Sequence, residues 1–218
     1  MALEQKSLPI FPLNVVMFPG MTLPLRIFEP RYLQMVDDCI KTDKTFGIVC
    51  LKHGEETGGP GLPYTIGTTA RIVDVEEDSP ELLYIVTVGQ ERFRTRRLVH
   101  GKPYLVGEVE PFPLTKVDAP EVGVLIDGEL ALVSAYMDLL SQMGHVELQL
   151  QQSPDSPQAL AYLVAALLQV PLPVKQQLLS VADLPTLLHD EAVLLRNDFA
   201  ALTILMQGSQ LLEVRDRK

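Results

Sequence analysis

The sequence predicts an α+β protein, with a small β-barrel carrying one inserted helix over residues 1–115 and a helical bundle over 116–218. Two observations lead there. The first half consists of short apolar runs broken by proline and glycine, the pattern of strands joined by turns. After Pro111, Pro113 and Pro120 the apolar spacing changes to that of helices. With 218 residues, 47% of them hydrophobic and 21% charged, the chain can bury real cores and does not have the composition of a disordered protein.

The opening stretch, Leu8 to Glu29, reads as strand, turn, strand. Pro9, Pro12 and Pro19 interrupt an apolar run, Pro19-Gly20 marks the turn, and Leu23, Leu25 and Ile27 alternate as one strand face. A helix follows from Pro30, a residue suited to the first helical position, with Leu33, Val36 and Ile40 along one side. Phe46 to Leu51 is the next strand. Lys52 to Tyr64 holds Gly54, Gly58, Gly59, Pro60 and Gly61 and reads as a long flexible connection, made acidic by Glu55 and Glu56.

Ile66 to Val75 and Leu82 to Val88 flank the turn Asp78-Ser79-Pro80-Glu81, so they form a hairpin. Tyr104 to Val109 supplies another strand. Pro24, Gly67, Gly89 and Gly107 lie in or beside these strands, where such residues mark edges, bulges and barrel corners.

In the second half, Val122, Leu125, Ile126, Leu130, Val133, Met137 and Leu140 recur at helical spacing, despite Gly123 and Gly128. Gln149 to Asp155 is a polar connector. Ser156-Pro157 opens a helix as N-cap and first-turn proline, with Leu160, Leu163, Val164, Leu167 and Leu168 inward. Pro171-Leu172-Pro173 ends it, and Val174 to Leu179 makes a short helix. Asp183 caps the last helix, apolar from Leu184 to Leu205, and Gly208 is the expected stop.

Charge and residue types exclude several function classes. The net charge of −10 opposes non-specific attraction to nucleic acid or anionic lipid. The start Met-Ala-Leu-Glu-Gln-Lys lacks the layout of a secretion signal. The longest apolar run, Ala159 to Leu168, is about half of what spans a bilayer. Cys39 and Cys50 are isolated, as in a reducing cytoplasm where cysteine serves as a small apolar residue. His53, His100, His145 and His189 are scattered without ligand spacing, so no metal and no cofactor is expected. No Gly-x-x-x-x-Gly-Lys-Ser/Thr loop is present to cradle nucleotide phosphates. Ser134, Ser141 and Ser153 have no assignable base, so no catalytic residue is expected.

The opening Leu-Pro-Ile, Val-Val-Met-Phe-Pro-Gly, Leu-Pro-Leu order resembles the N-terminal domain of the Lon protease family. The resemblance continues through Ile66-Gly-Thr-Thr-Ala-Arg-Ile72, Val88-Gly89-Gln90 with Arg92-Phe93, and Tyr104 to Glu110. In the helical half it includes Leu168 to Leu179, and it spans about residues 8 to 205. The motifs are apolar residues and turns, specific through their order. The resemblance implies a PUA-like barrel followed by a helical bundle, and an unfolded or extended polypeptide as ligand. The departures from the family, no phosphate loop and no counterpart of its serine-lysine peptidase domain, lead to the expectation of a stand-alone, non-catalytic recognition or adaptor module, linked to protein quality control and to a separate ATP-dependent protease.

Two sets of residues are candidates for binding. Met17, Met21 and Phe28 surround the Pro19-Gly20 turn and suit an adaptable apolar patch. Phe18 is set apart as the plug of the barrel end. Arg92, Arg94 and Arg96 share a strand face and form a basic stripe, which would serve an alternative nucleic-acid or small-ligand function. The stripe has only Phe93 as an interleaved aromatic, and the acidic background disfavours nucleic acid. Pairing with Glu108 and Glu110 on a solvated strand face is the competing reading.

Overall fold

The computed structural model describes residues 6–53, 61–99, 101–142 and 155–216. The elements in chain order are β1 (Lys6–Leu13), β2 (Thr22–Ile27), α1 (Pro30–Ile40), β3 (Thr45–His53), β4 (Leu62–Pro63), β5 (Ile66–Ser79), β6 (Leu82–Val99) and β7 (Leu105–Pro111). The helices α2 (Glu121–Gln142), α3 (Pro157–Leu167), α4 (Leu172–Ser180) and α5 (Leu184–Asp216) follow. The glycine-rich segment 54–60, His100, His145 and most of the connector from Gln149 lie outside the described residues.

The chain forms two compact units, residues 1–113 with 171–182, and residues 114–170 with 183–218. A single division at 115/116 therefore places α4 on the other side from where it lies. Physical ties explain its placement. Gln176 Nε2 donates to the Ile66 carbonyl at 3.1 Å, and Arg92 reaches the end of α4, as described below.

In the first unit, pairing runs β1–β7–β6–β5–β3, and a parallel β1–β3 pairing closes that path into a ring. Alternation along the strands divides the apolar side chains between two clusters. Leu8 and Ile10 of β1, Val49 of β3, Phe93 of β6 and Val109 of β7 fill one. Phe11 and Leu13, Phe46 and Ile48, and Ile72 and Ile85 join Tyr32, Met35, Val36 and Cys39 of α1 in the other. Phe93 enters the first cluster because two glycines make room. A Cβ on Gly47 would lie 2.6 Å from the Phe93 ring, and one on Gly67 2.9 Å from it and 2.3 Å from the Ile48 carbonyl oxygen.

Several elements are longer than the sequence pattern indicates, two of them by many residues. The strand read from Leu82 to Val88 continues to Val99, and α5 passes Gly208 without stopping. In the second unit, α5 begins on Asp183, whose Oδ1 accepts from the Thr186 N–H at 3.2 Å and its hydroxyl at 2.9 Å. Ser156 Oγ accepts from the Ala159 N–H at 3.2 Å and caps α3. Tyr136, Leu140, Leu160, Val164, Leu187 and Leu195 are among the buried core of this unit.

Candidate functional site

The turn between β1 and β2 is stitched onto β6. Gly20, at φ +82°, donates to the Gly89 carbonyl at 2.9 Å, and the Gly89 N–H donates to the Met21 carbonyl at 2.9 Å. Gly89 has to be glycine, since a Cβ there would meet the Phe18 carbonyl oxygen at 2.4 Å. The Thr68 hydroxyl donates to the Met17 carbonyl at 2.5 Å. This anchoring turns Met17 and Phe18 inward.

Met17 is 1% exposed and packs in the larger apolar cluster, so it is not part of an accessible patch. The cause is the hydrogen bonding of the turn, which commits its backbone to β5 and β6. Phe18 is fully buried, as a plug would be. Met21 is half-buried against the same cluster as Leu23 and Leu25. Only Phe28 stands out, 51% exposed, with the Arg26 guanidinium 5.8 Å from its ring centroid. Met17, Met21 and Phe28 therefore do not form one surface.

The basic stripe is also different from a free cationic face. Arg92 is 3% exposed. Its Nη1 donates to the Leu179 and Val181 carbonyls, each at 2.7 Å, so a guanidinium satisfies carbonyls at the C-terminal end of α4, where a positive charge is favoured. The same guanidinium lies 4.7 Å from the Phe112 ring centroid, and that of Arg94 lies 4.4 Å from it. Arg96 pairs with Glu110 at 2.7 Å, and Arg94 approaches the same carboxylate at 3.7 Å. Arg97 grips Glu108 with two nitrogens, and this hydrogen bonding holds the Glu108 carboxyl below its ordinary range. Arg94, Arg96 and Arg97 fit the paired strand face; Arg92 is a structural clamp.

Other titratable groups are likewise tied into the fold. Asp38 accepts from the Tyr104 hydroxyl at 2.6 Å and from Lys102 at 2.9 Å. These two bonds hold its carboxyl low. Burial, then the bond to Asp38, pushes Tyr104 up to about 12. Burial also pushes the Cys39 thiol up to about 12, which leaves it protonated and unreactive at neutral pH.

Four of the accessible large apolar and aromatic residues, Phe28, Val73, Val75 and Tyr84, lie on or beside a ribbon of β2, the first half of β6 and the second half of β5; Leu62, Val124, Leu130, Val193 and Ile204 are exposed elsewhere. Arg26 pairs with Tyr84, and Tyr84 with Glu76; Pro24 pairs with Val86, and Val86 with Asp74. Val75, paired with Ile85, is 42% exposed on the opposite face, and Val73, at the register shift between Ile72 and Asp74, is 55% exposed; Tyr84 is 43% exposed on the face that these pairs share. A groove of about 240 Å³ runs over this face, lined by Pro24, Arg26, Asp74, Glu76, Tyr84 and Val86, among others. Tyr84 and the two valines are not among the residues singled out from the sequence. Their signal was faint, because Val73 and Tyr84 sit in runs that read as ordinary alternating strands.

Comparison with known proteins agrees with this fold. The family model for the ATP-dependent protease La (LON) substrate-binding domain matches residues 7–197. Lon protease of Anaeromyxobacter dehalogenans is 33% identical over 181 residues, and Lon protease 2 of Myxococcus xanthus is 34% identical over 181 residues. Each match takes in 81% of this chain but only 21% and 22% of those relatives. The crystal structure of a Lon N-terminal domain protein from Xanthomonas campestris superposes with a TM-score of 0.61 at 29% identity, covering 86% of this chain and 98% of that one. The N-terminal domain of a Mycobacterium avium complex Lon protease shares the fold, with a TM-score of 0.69 at 18% identity over 88% of this chain and 98% of that one. From β1 into the first part of α5, this chain belongs to the family of the Lon substrate-binding domain.

Proposed function

We propose that the chain is a polypeptide-recognition module that holds extended or unfolded protein and does not itself cut it. The observation that carries this reading is the match of residues 7–197 to a substrate-binding domain. The ribbon of β2, β5 and β6 supports it, since it presents Phe28, Tyr84, Val73 and Val75 to solvent. Aromatic and branched side chains beside polar ones can hold many sequences, which recognition without a strict code requires. The module serves protein quality control by delivering substrate to an ATP-dependent protease activity, in the same or another chain.

Binding of a fluorescent, permanently unfolded protein to the purified chain tests the reading. We expect saturable binding that is independent of ATP, with neither ATP hydrolysis nor cleavage of the bound protein. Phe28→Ser with Tyr84→Ser should weaken it by about ten-fold, or about 1.4 kcal/mol. Met21→Ser alone, at a half-buried position, should change affinity less. No binding by the parent chain, or turnover that survives further purification, would reject the module. Unchanged affinity in the Phe28 and Tyr84 double variant would reject the ribbon as its site.

A further inference from the structure

β5 has one edge that is only partly used. β3 pairs with it from Thr68 to Arg71, and the Ile72 N–H reaches the Lys44 carbonyl at 2.8 Å. From Val73 to Ser79 the same edge pairs with no strand among the described residues, although the other edge stays paired with β6 as far as Ser79. A strand held on one side and open on the other presents a ready ladder of N–H and C=O groups. The outer edge of β2 is the poorer template, because Pro24 leaves that strand one donor short.

Charge decides what can pair there. Asp74, Glu76, Glu77, Asp78 and Glu81 are all exposed, and none is ion-paired among the described residues. A second copy of the same edge would bring like charges face to face, which disfavours self-pairing. An incoming strand rich in lysine or arginine meets the opposite situation. Asp74 and Glu76 lie on one face with the exposed ring of Tyr84, where a cation gains both carboxylates and an aromatic face. Val75 lies on the other face, paired with Ile85, so alternate residues of the incoming strand meet apolar surface.

We propose that the outer edge of β5, from Val73 to Ser79, is a strand-addition site for extended polypeptide segments that alternate basic and apolar residues. This rests on the polypeptide-recognition reading and names where and what the module prefers to bind.

Short peptides of alternating lysine and valine, and of alternating glutamate and valine, serve as probes against the full chain. The lysine peptide should bind at least about ten-fold more tightly. Methylating alternate backbone nitrogens of the lysine peptide should abolish binding in one of the two registers, since a strand offers its ladder through alternate residues. Asp74→Lys with Glu76→Lys, both at exposed positions, should reverse the preference between the two peptides. Equal binding of the two peptides, full binding of both methylated forms, or an unaltered preference in the reversed variant would overturn the site. If the unfolded protein still binds in any of those cases, the recognition reading stands and only the β5 edge is rejected. If neither it nor the peptides bind, both fall.

Discussion

Gly67 shows how little slack the barrel interior holds. Its missing Cβ makes room for the Phe93 ring on one side and the Ile48 carbonyl oxygen on the other, and the latter is backbone that cannot rotate away. A side chain tip can yield by changing rotamer; a strand carbonyl has to move with its sheet. Gly67→Ala should therefore cost about 2 kcal/mol or more, seen as a lower urea midpoint at unchanged slope. A midpoint within error of the parent would show that β3 and β5 shift apart freely at this point. Arg92 makes the opposite case, a charge that the fold consumes. One nitrogen serves two carbonyls at 2.7 Å, which the point charge of lysine on a flexible stem does not reproduce. Arg92→Lys should accelerate amide hydrogen exchange in α4 by about ten-fold or more, equivalent to about 1.4 kcal/mol, while exchange in α3 stays as it was. Equal exchange in both helices would deny Arg92 its clamping role.

At the level of elements, α3 tests how much a single cap matters. Ser156 satisfies one of the free N–H groups at the start of a helix only 11 residues long, and Ser156→Ala should cost about 1 kcal/mol in thermal or urea unfolding. A loss near zero would mean that water replaces the hydroxyl without penalty. Ser156-Pro157 was legible because cap chemistry is local. So were the helix from Pro30, the hairpin about Ser79-Pro80, and the buried parts of the apolar faces of α2 and α5, from which Leu130 departs by being exposed. What was not legible depends on distant partners. The strand face of Arg92, Arg94 and Arg96 was legible, but not its continuity with Leu82 to Val88, which depends on β5 and β7 flanking the whole of β6. α4 announces that it is a helix but not which unit it joins; Gln176 and Arg92 settle that from far away in sequence. Gly208 reads as a stop and lies inside α5. Met17 reads as the shoulder of an exposed turn and is buried, because Thr68 and Gly89 draw that turn inward.

For the molecule as a whole, the titratable groups predict how stability varies with pH. Asp38, Asp43, Glu108 and Asp183 are all held below the ordinary carboxylate range, chiefly by hydrogen bonds from Tyr104, Lys6, Arg97 and the Thr186 N–H. A depressed carboxyl adds stability above its unfolded value and loses it as pH falls through its folded one. These groups are exposed or nearly so, hence the acid limb should be shallow and weakened by salt. The alkaline limb has more behind it. Tyr104, pushed from 10.0 to about 12, and Cys39, pushed from 9.0 to about 12, both resist ionisation in the folded chain and not in the unfolded one. Lys41 and Lys102 are raised through Asp37 and Asp38, and they lose their contribution over the same alkaline range. Stability should thus be level near neutrality and fall steadily as pH rises from about 9 toward 12. Tyr104→Phe removes one of the groups whose ionisation favours the unfolded chain, so its urea midpoint should fall less steeply above pH 10, whatever its value at pH 7. An alkaline limb of parental steepness in that variant would show that Tyr104 ionises as readily in the folded chain as in the unfolded one.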